Sequence, residues 1–208
     1  MKNKFSEQYY NLIKEYKYVH ENGISKKNFF IPNIHTFSGH SLKPWVKHIK
    51  NIVSISKSKT ILDYGCGKAK YYFNELEIEN KKYKNLHDYW SISEVKLFDP
   101  GVERFSDYPN KKYDGVVCTD VLEHVLMDDL DDVVRDIFSF AKKFVFFVIS
   151  TELDSKFFTN GQNVHVTVKN DSWWKSFFKK IKNDYPDVYC VVITTFVGKE
   201  GNEAKRIV

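Results

Sequence analysis

The chain has 208 residues, 42% of them hydrophobic and 28% charged, which suits one globular domain and is too short for two large cores. Its net charge of +5 is mild, and the lysines are spread along the chain rather than gathered into a nucleic-acid footprint. The N-terminus MKNKFSEQYYNLIKEYKYVH is too polar for a signal peptide, and no apolar run approaches the ~18 residues of a membrane span.

Residues 5–20 carry apolar and aromatic side chains at helical spacing, and Glu21-Asn22-Gly23 supplies a stop. Residues 28–44, with two prolines and a glycine, read as irregular. A second helix follows in PWVKHIKNIVSIS, with Pro44 at its first position and Trp45, Val46, Ile49, Ile52 and Val53 on one stripe. Residues 1–58 are therefore expected to form a helical cap on a core of residues 59–208, the whole being one domain.

From residue 59 strands and helices alternate. TILDY is a strand, KAKYYFNELEIEN a helix, EVKLFDP a second strand and YDGVVCTDV a third. DDLDDVVRDIFSFAKK reads as a helix opened by carboxylates at its positive end and closed by lysines at its negative end. FVFFVIS is a fourth strand, buried on both faces. NDSWWKSFFKKIKND is a helix capped by Asn170 or Asp171, and DVYCVVITTFVG a fifth strand. KEGNE marks a turn, after which AKRIV closes an antiparallel hairpin. The pattern predicts an α/β fold, a Rossmann-like, mostly parallel sheet with helices on both faces.

Ligands of open α/β sheets bind beyond the carboxyl ends of the strands. There the chain sets Asp63, Tyr64, Gly65, Cys66 and Gly67 after the first strand and Asp99, Pro100 and Gly101 after the second. Thr119, Asp120, Val121, Glu123 and His124 follow the third. Each acid alone is an ordinary turn former. Three strand ends delivering carboxylates to one rim point to a ligand. The glycines do not follow the G-x-G-x-x-G spacing of dinucleotide sites, since Lys70 stands third and Asp99 comes too late, and no P-loop is present. An acid directly before a glycine turn repels pyrophosphate and suits a cation. The expected ligand is small, carries a ribose and bears an ammonium or sulfonium.

ILDYGCGKAKY, LFDP and YDGVVCTDVLEHV resemble the successive motifs of the Rossmann-like class I S-adenosylmethionine-dependent methyltransferases, over roughly residues 59–150 by motif and on to 208 by element order. Within that class the chain is similar to small bacterial proteins with D-Y-G-C-G-K, D-P-G-V, C-T-D-V-L-E-H and a late H-V-T…W-W. The resemblance implies that Asp63 and the loop of Tyr64, Gly65, Cys66 and Gly67 hold the methionine part of S-adenosylmethionine, the glycines being required because a Cβ would strike the cofactor. It implies that Asp99, followed by Pro100, accepts both ribose hydroxyls, and that Thr119, Asp120 and Val121 line the sulfonium end. It further implies that Glu123, at the edge of the cofactor site, and His124 face the methyl acceptor. Two departures stand out. Ala69 replaces the usual third glycine, and only GVERFSDYPNKK separates the second strand from the third, where the family has a helix and a strand whose acid contacts adenine. Either the element is missing or Ser106-Asp107-Tyr108 replaces it with a loop.

The strand end T-D-V-L lacks both the [DNS]-P-P-[YFW] of amine methylases of nucleic acids and the Pro-Cys of cytosine-carbon methylases. The expected acceptor is a small molecule or saccharide, methylated on oxygen rather than nitrogen, with no membrane, nucleic-acid or metal partner. The alternatives are a non-catalytic S-adenosylmethionine-binding subunit and an RNA methyltransferase that borrows affinity from a partner. His124 and His165 are the candidate bases, against roles in ordering a loop or lying on a surface strand. His35, Phe37 and His40 are placed to close over the site, and of Trp173-Trp174 the inner ring belongs to the core and the outer to a pocket wall or dimer contact. Cys66, Cys118 and Cys190 are far apart with no CxxC, which fits a reducing cytoplasm and disfavours zinc or disulfides, and Cys66 has no accompanying base.

Overall fold

A computed structural model describes residues 4–26, 29–198 and 201–208. Its elements begin with helix α1 (Glu7–Asn22), strands β1 (Ile24–Lys26) and β2 (Phe29–Ile31), and helix α2 (Val46–Ile55). Strand β3 (Thr60–Tyr64), the one-turn helix α3 (Lys70–Phe73), strands β4 (Leu76–Ile78) and β5 (Lys81–Tyr83), and helix α4 (Leu86–Trp90) follow. Then come β6 (Glu94–Phe98), β7 (Tyr113–Thr119), α5 (Leu130–Ser139) and β8 (Ala141–Ser150). The chain finishes with β9 (Lys156–Phe157), α6 (Asp171–Lys182), β10 (Tyr189–Gly198) and β11 (Gly201–Arg206).

Six strands form one sheet in the order β11-β10-β8-β7-β3-β6, parallel throughout except for β11. The unbroken apolar run of β8 lies at its centre, with residues 144–149 no more than 1% exposed, because helices cover both faces. On one face pack Val133, Val134 and Ile137 of α5 and Trp174, Phe178 and Ile181 of α6. On the other pack Val46, Ile49 and Val53 of α2 and Leu86 and Trp90 of α4. No helix of the described residues is long and apolar enough to cross a membrane.

Several elements differ from the sequence expectation. The helix expected over KAKYYFNELEIEN ends after one turn, because Leu76–Ile78 pairs antiparallel with Lys81–Tyr83. Glu79 and Asn80 both take positive φ, the geometry of a two-residue hairpin turn. Lys142 and Lys143 belong to β8, so α5 stops at Ser139 with no basic residue in its last turn. Pro44 sits inside a 3-10 turn, His40–Trp45, and α2 begins only at Val46. Within the segment expected to be irregular, β2 pairs with β1, which pairs in turn with β9, tying the N-terminal part to residues 156–157. Asn28 of that segment and Lys199-Glu200 of the expected turn lie outside the described residues. Asn170 is the cap of α6, its side chain accepting from the Trp173 N–H at 2.9 Å. Trp174 is fully buried, whereas Trp173 stacks on Phe177 at the core's margin.

Between β6 and β7 no strand forms. A 3-10 turn, Glu103–Phe105, and a loop connect them, leaving β6 at the sheet edge. Tyr108 closes that edge, packing edge-on against Phe98 and Phe140 while its hydroxyl donates to buried Asp136.

Candidate active site

The chain leaves β3 toward β6 and returns on the other side to β7, so the strand order reverses between β3 and β7. Open α/β sheets carry their ligand sites at such reversals. A cavity of about 390 Å³ opens there. Its floor is made by Tyr64, Gly65 and Gly67 at the end of β3, Asp99, Pro100 and Gly101 after β6, and Thr119, Asp120 and Val121 at the end of β7. Its roof is one face of α1, where Tyr9, Leu12, Ile13, Tyr16 and His20 recur at helical spacing. His35, Phe37 and His40 complete the rim. Ser106, Asp107 and Tyr108 do not line the cavity; the apolar part of its wall comes from α1 together with Val121, Val125 and Val133.

The glycine loop and Asp99 are in direct contact. The N–H groups of Gly65 and Cys66 donate to the Phe98 carbonyl at 2.7 and 3.2 Å, and Gly67 N–H donates to Asp99 Oδ2 at 2.8 Å. Gly101 N–H donates to Asp99 Oδ1 at 2.9 Å, so each carboxylate oxygen keeps a lone pair for a ligand. Gly65 and Gly67 have φ of +84° and +54°. A Cβ would meet Val121 Cγ2 at 2.3 Å in the first case and the Phe37 carbonyl oxygen at 2.2 Å in the second. The loop is therefore closed to side chains by the protein's own atoms, independently of any ligand. Ala69 takes the left-handed conformation (φ +53°) that the missing glycine would adopt without strain. Lys68 fastens the loop to the roof: its ammonium donates to the carbonyls of His20 (3.1 Å), Asn33 and Thr36 (3.3 Å).

Three of the expected site residues stand behind the wall. Asp63 is buried under the loop beside a small void that shares Gly39, Ser41, Gly65 and Thr119 with the main cavity. Burial, with a smaller contribution from Asp99, raises its carboxyl to about 7. The Tyr72 hydroxyl approaches Asp63 without reaching good hydrogen-bond geometry. Glu123 is fully buried; its Oε1 accepts from Ser150 N–H at 2.8 Å, and burial and then Asp120 push its carboxyl well up. It ties the turn after β7 to the end of β8 and does not reach the cavity. Cys66 is buried and its thiol is pushed far up by burial. Cys118 and Cys190 are buried as well. A thiol reagent at about pH 8 is expected to leave all three cysteines unmodified in the native protein and to label all three after unfolding. Fast labelling of Cys66 in the native state would mean that the glycine loop opens.

His124, His165, Tyr16, Asp120, Asp154 and Lys156 gather at the other end of the cavity. Tyr16 O–H and His124 Nδ1–H both donate to the Val164 carbonyl, at 2.7 and 2.9 Å. This leaves Nε2 as the acceptor nitrogen of His124, and burial, then His165, lowers the ring to about 3. His165 packs edge-on against His124, with ring centroids 4.8 Å apart. Its Nδ1–H donates to the Glu152 carbonyl at 2.6 Å, so the Nε2 lone pair looks toward Asp154 Oδ2 at 3.7 Å. Lys156 forms an ion pair with Asp154. Burial opposes ionisation of Asp154, but Lys156 and His165 hold its carboxyl below the usual range. Asp120 lies on this side with φ +53°, its carboxyl raised to about 6 by burial against the pull of Lys156.

Tyr16, His20, Asp154 and Lys156 are members of the site that sequence reasoning misses. The spacing of Tyr9, Tyr16 and His20 on α1 is visible but reads equally as an ordinary core face. Asp154 and Lys156 sit just past the end of β8, the same position that marks the other acids.

A search of curated proteins returns no match. A family model described as a methyltransferase domain matches residues 40–187, from the turn before α2 to the approach of β10. That span includes the glycine loop, Asp99, the β7 exit and both histidines, and the chain belongs to this methyltransferase-domain family.

Proposed function

We propose that the protein uses S-adenosylmethionine to methylate a hydroxyl group of a small polar molecule, a saccharide among the candidates. The observation that carries this reading is the charge and shape of the cavity. Among the described residues its wall carries Asp99, Asp120 and Asp154 against one lysine, Lys156, already paired with Asp154, and the carboxyl of Asp63 lies just beneath. Such a wall rejects phosphates and favours a ribose joined to a sulfonium and an ammonium. The residues fit that group. Asp99 has a free lone pair on each oxygen for the ribose diol, Asp63 and the loop suit the aminoacyl end, and Asp120 suits the sulfonium. When bound, the cofactor supplies an activated methyl group. The chain's own residues align the acceptor and receive its proton. His165 Nε2 is the base in this reading, because the imidazolium formed there is stabilised by Asp154. His124 packs edge-on against His165 and steadies that ring, and Phe37 and Tyr16 enclose the acceptor.

The test is calorimetry across pH. In the free protein the raised carboxyls of Asp63 and Asp120 contribute stability that is present below the ordinary carboxylate range and lost as pH rises through about 6 to 7. A bound cation favours their ionised forms. Affinity for S-adenosylmethionine is therefore expected to rise between about pH 5.5 and pH 8, with protons released on binding near pH 6.5. An affinity flat over that range would remove these carboxylates from the site. No binding at millimolar concentration would remove the cofactor.

A further inference from the structure

We infer that His20, on the roof helix, is a ligand of the cofactor's ribose, donating from Nε2 to a hydroxyl that itself donates to Asp99; this rests on the reading that the cavity binds S-adenosylmethionine. His20 is far from the rim acids in the sequence, but α1 folds back across the sheet ends and sets it beside Asp99.

The geometry is local. A Cβ placed on Gly101 would lie 3.3 Å from Asp99 Oδ1 and 3.4 Å from His20 Cδ2. The Cδ2–Nε2 edge of the ring therefore faces the same small volume as the Asp99 carboxylate. His20 is only 8% exposed and lines the cavity. Its Nδ1 is buried with no hydrogen-bond partner among the described residues, while Nε2 is not sealed off in this way. The charge beside the ring belongs to Lys68, whose ammonium sits on the His20 carbonyl at 3.1 Å. A buried N–H left without an acceptor costs more than a buried lone pair, and the ring carries one proton beside that cation. The proton therefore resides on Nε2, and the ring presents a fixed donor to the cavity.

A donor complements Asp99 at this point. Asp99 accepts only, so both ribose hydroxyls spend their protons on it, and their oxygens are left with unused lone pairs. His20 supplies the complementary N–H, giving a directed chain from imidazole to hydroxyl to carboxylate. The roof helix then contributes to nucleoside recognition in a chain whose β6–β7 connection holds no strand.

The test uses the intact protein and S-adenosylhomocysteine, which binds without turnover. His20→Phe keeps the ring volume and removes the donor, and is expected to weaken binding about tenfold. His20→Asn keeps a donor and is expected to recover part of that loss. Toward the 2′,3′-dideoxy analogue of the same ligand, wild type and His20→Phe are expected to bind alike. Nitrogen-15 spectra of the wild type need no variant to fold, and are expected to show the Nε2–H form, with that signal moving on addition of ligand. Unchanged affinity of His20→Phe, an equal loss toward the dideoxy analogue, or an Nδ1–H form in the complex would each overturn the assignment. Failure of the wild type to bind S-adenosylhomocysteine at all would instead overturn the cofactor reading, and the His20 assignment with it.

Discussion

Asp99→Ala is expected to abolish calorimetrically measurable binding of S-adenosylmethionine and of its demethylated product. Two effects combine. Hydrogen bonds to a charged partner contribute about 1.5–3 kcal/mol each, and two ribose hydroxyls would lose theirs, which alone predicts a loss of more than about 100-fold. The carboxylate also accepts from Gly67 and Gly101 at 2.8 and 2.9 Å, so its removal strands two N–H groups of the loops that shape the cavity. Asp99→Asn removes less, since its amide keeps an acceptor oxygen for one of the two backbone N–H groups and sets its NH2 against the other. It is expected to lie between wild type and Asp99→Ala in stability and still to bind weakly. Binding by Asp99→Ala within about threefold of wild type would place the ribose elsewhere.

The parts of the fold legible in the sequence are those that local chemistry determines. Strand β8 is written as an unbroken apolar run, and Asn170 and the glycine turn after β3 are short-range signals. The rim acids are legible too, because strand ends in a parallel sheet converge whatever the helices do. What is not legible depends on long-range packing. The fate of KAKYYFNELEIEN turns on Leu76–Ile78 finding a partner across Glu79-Asn80, a pair without the glycine that usually marks such a turn. The burial of Glu123 likewise follows from where Ser150 falls on the neighbouring strand. The roof is hidden for a further reason: a helix face of Tyr9, Leu12, Ile13 and Tyr16 has the same periodicity over a core as over a cavity. Only the position of His20, a titratable ring on that face, hints at the difference.

Gly67→Ala is expected to unsettle fold and site together. At φ +54° an alanine carries the strain of the left-handed region, about 1 kcal/mol. The steric clash weighs more, because the added Cβ would sit 2.2 Å from the Phe37 carbonyl oxygen, and main chain cannot rotate away as a side chain can. Nor is the Phe37 segment free to retreat. It accepts from Lys68 N–H through Phe37 O at 2.9 Å and from Lys70 N–H through Ser38 O at 3.1 Å, and the Lys68 ammonium holds Thr36 beside it. Overpacking of this kind costs about 1–3 kcal/mol. Strain and clash together, about 2–4 kcal/mol, correspond to a fall in Tm of roughly 5–15 °C for a chain of this size. The Gly67 N–H would also be pulled from Asp99, so cofactor affinity is expected to fall with it. Gly161→Ala is the control, at φ +82° with nothing within 4 Å of the added methyl. It carries the backbone strain without the clash and is expected to lower Tm by only about 2–4 °C. Equal losses in the two variants would show that the roof segment yields easily, and that contact between Phe37 and the glycine loop does not hold the cavity closed.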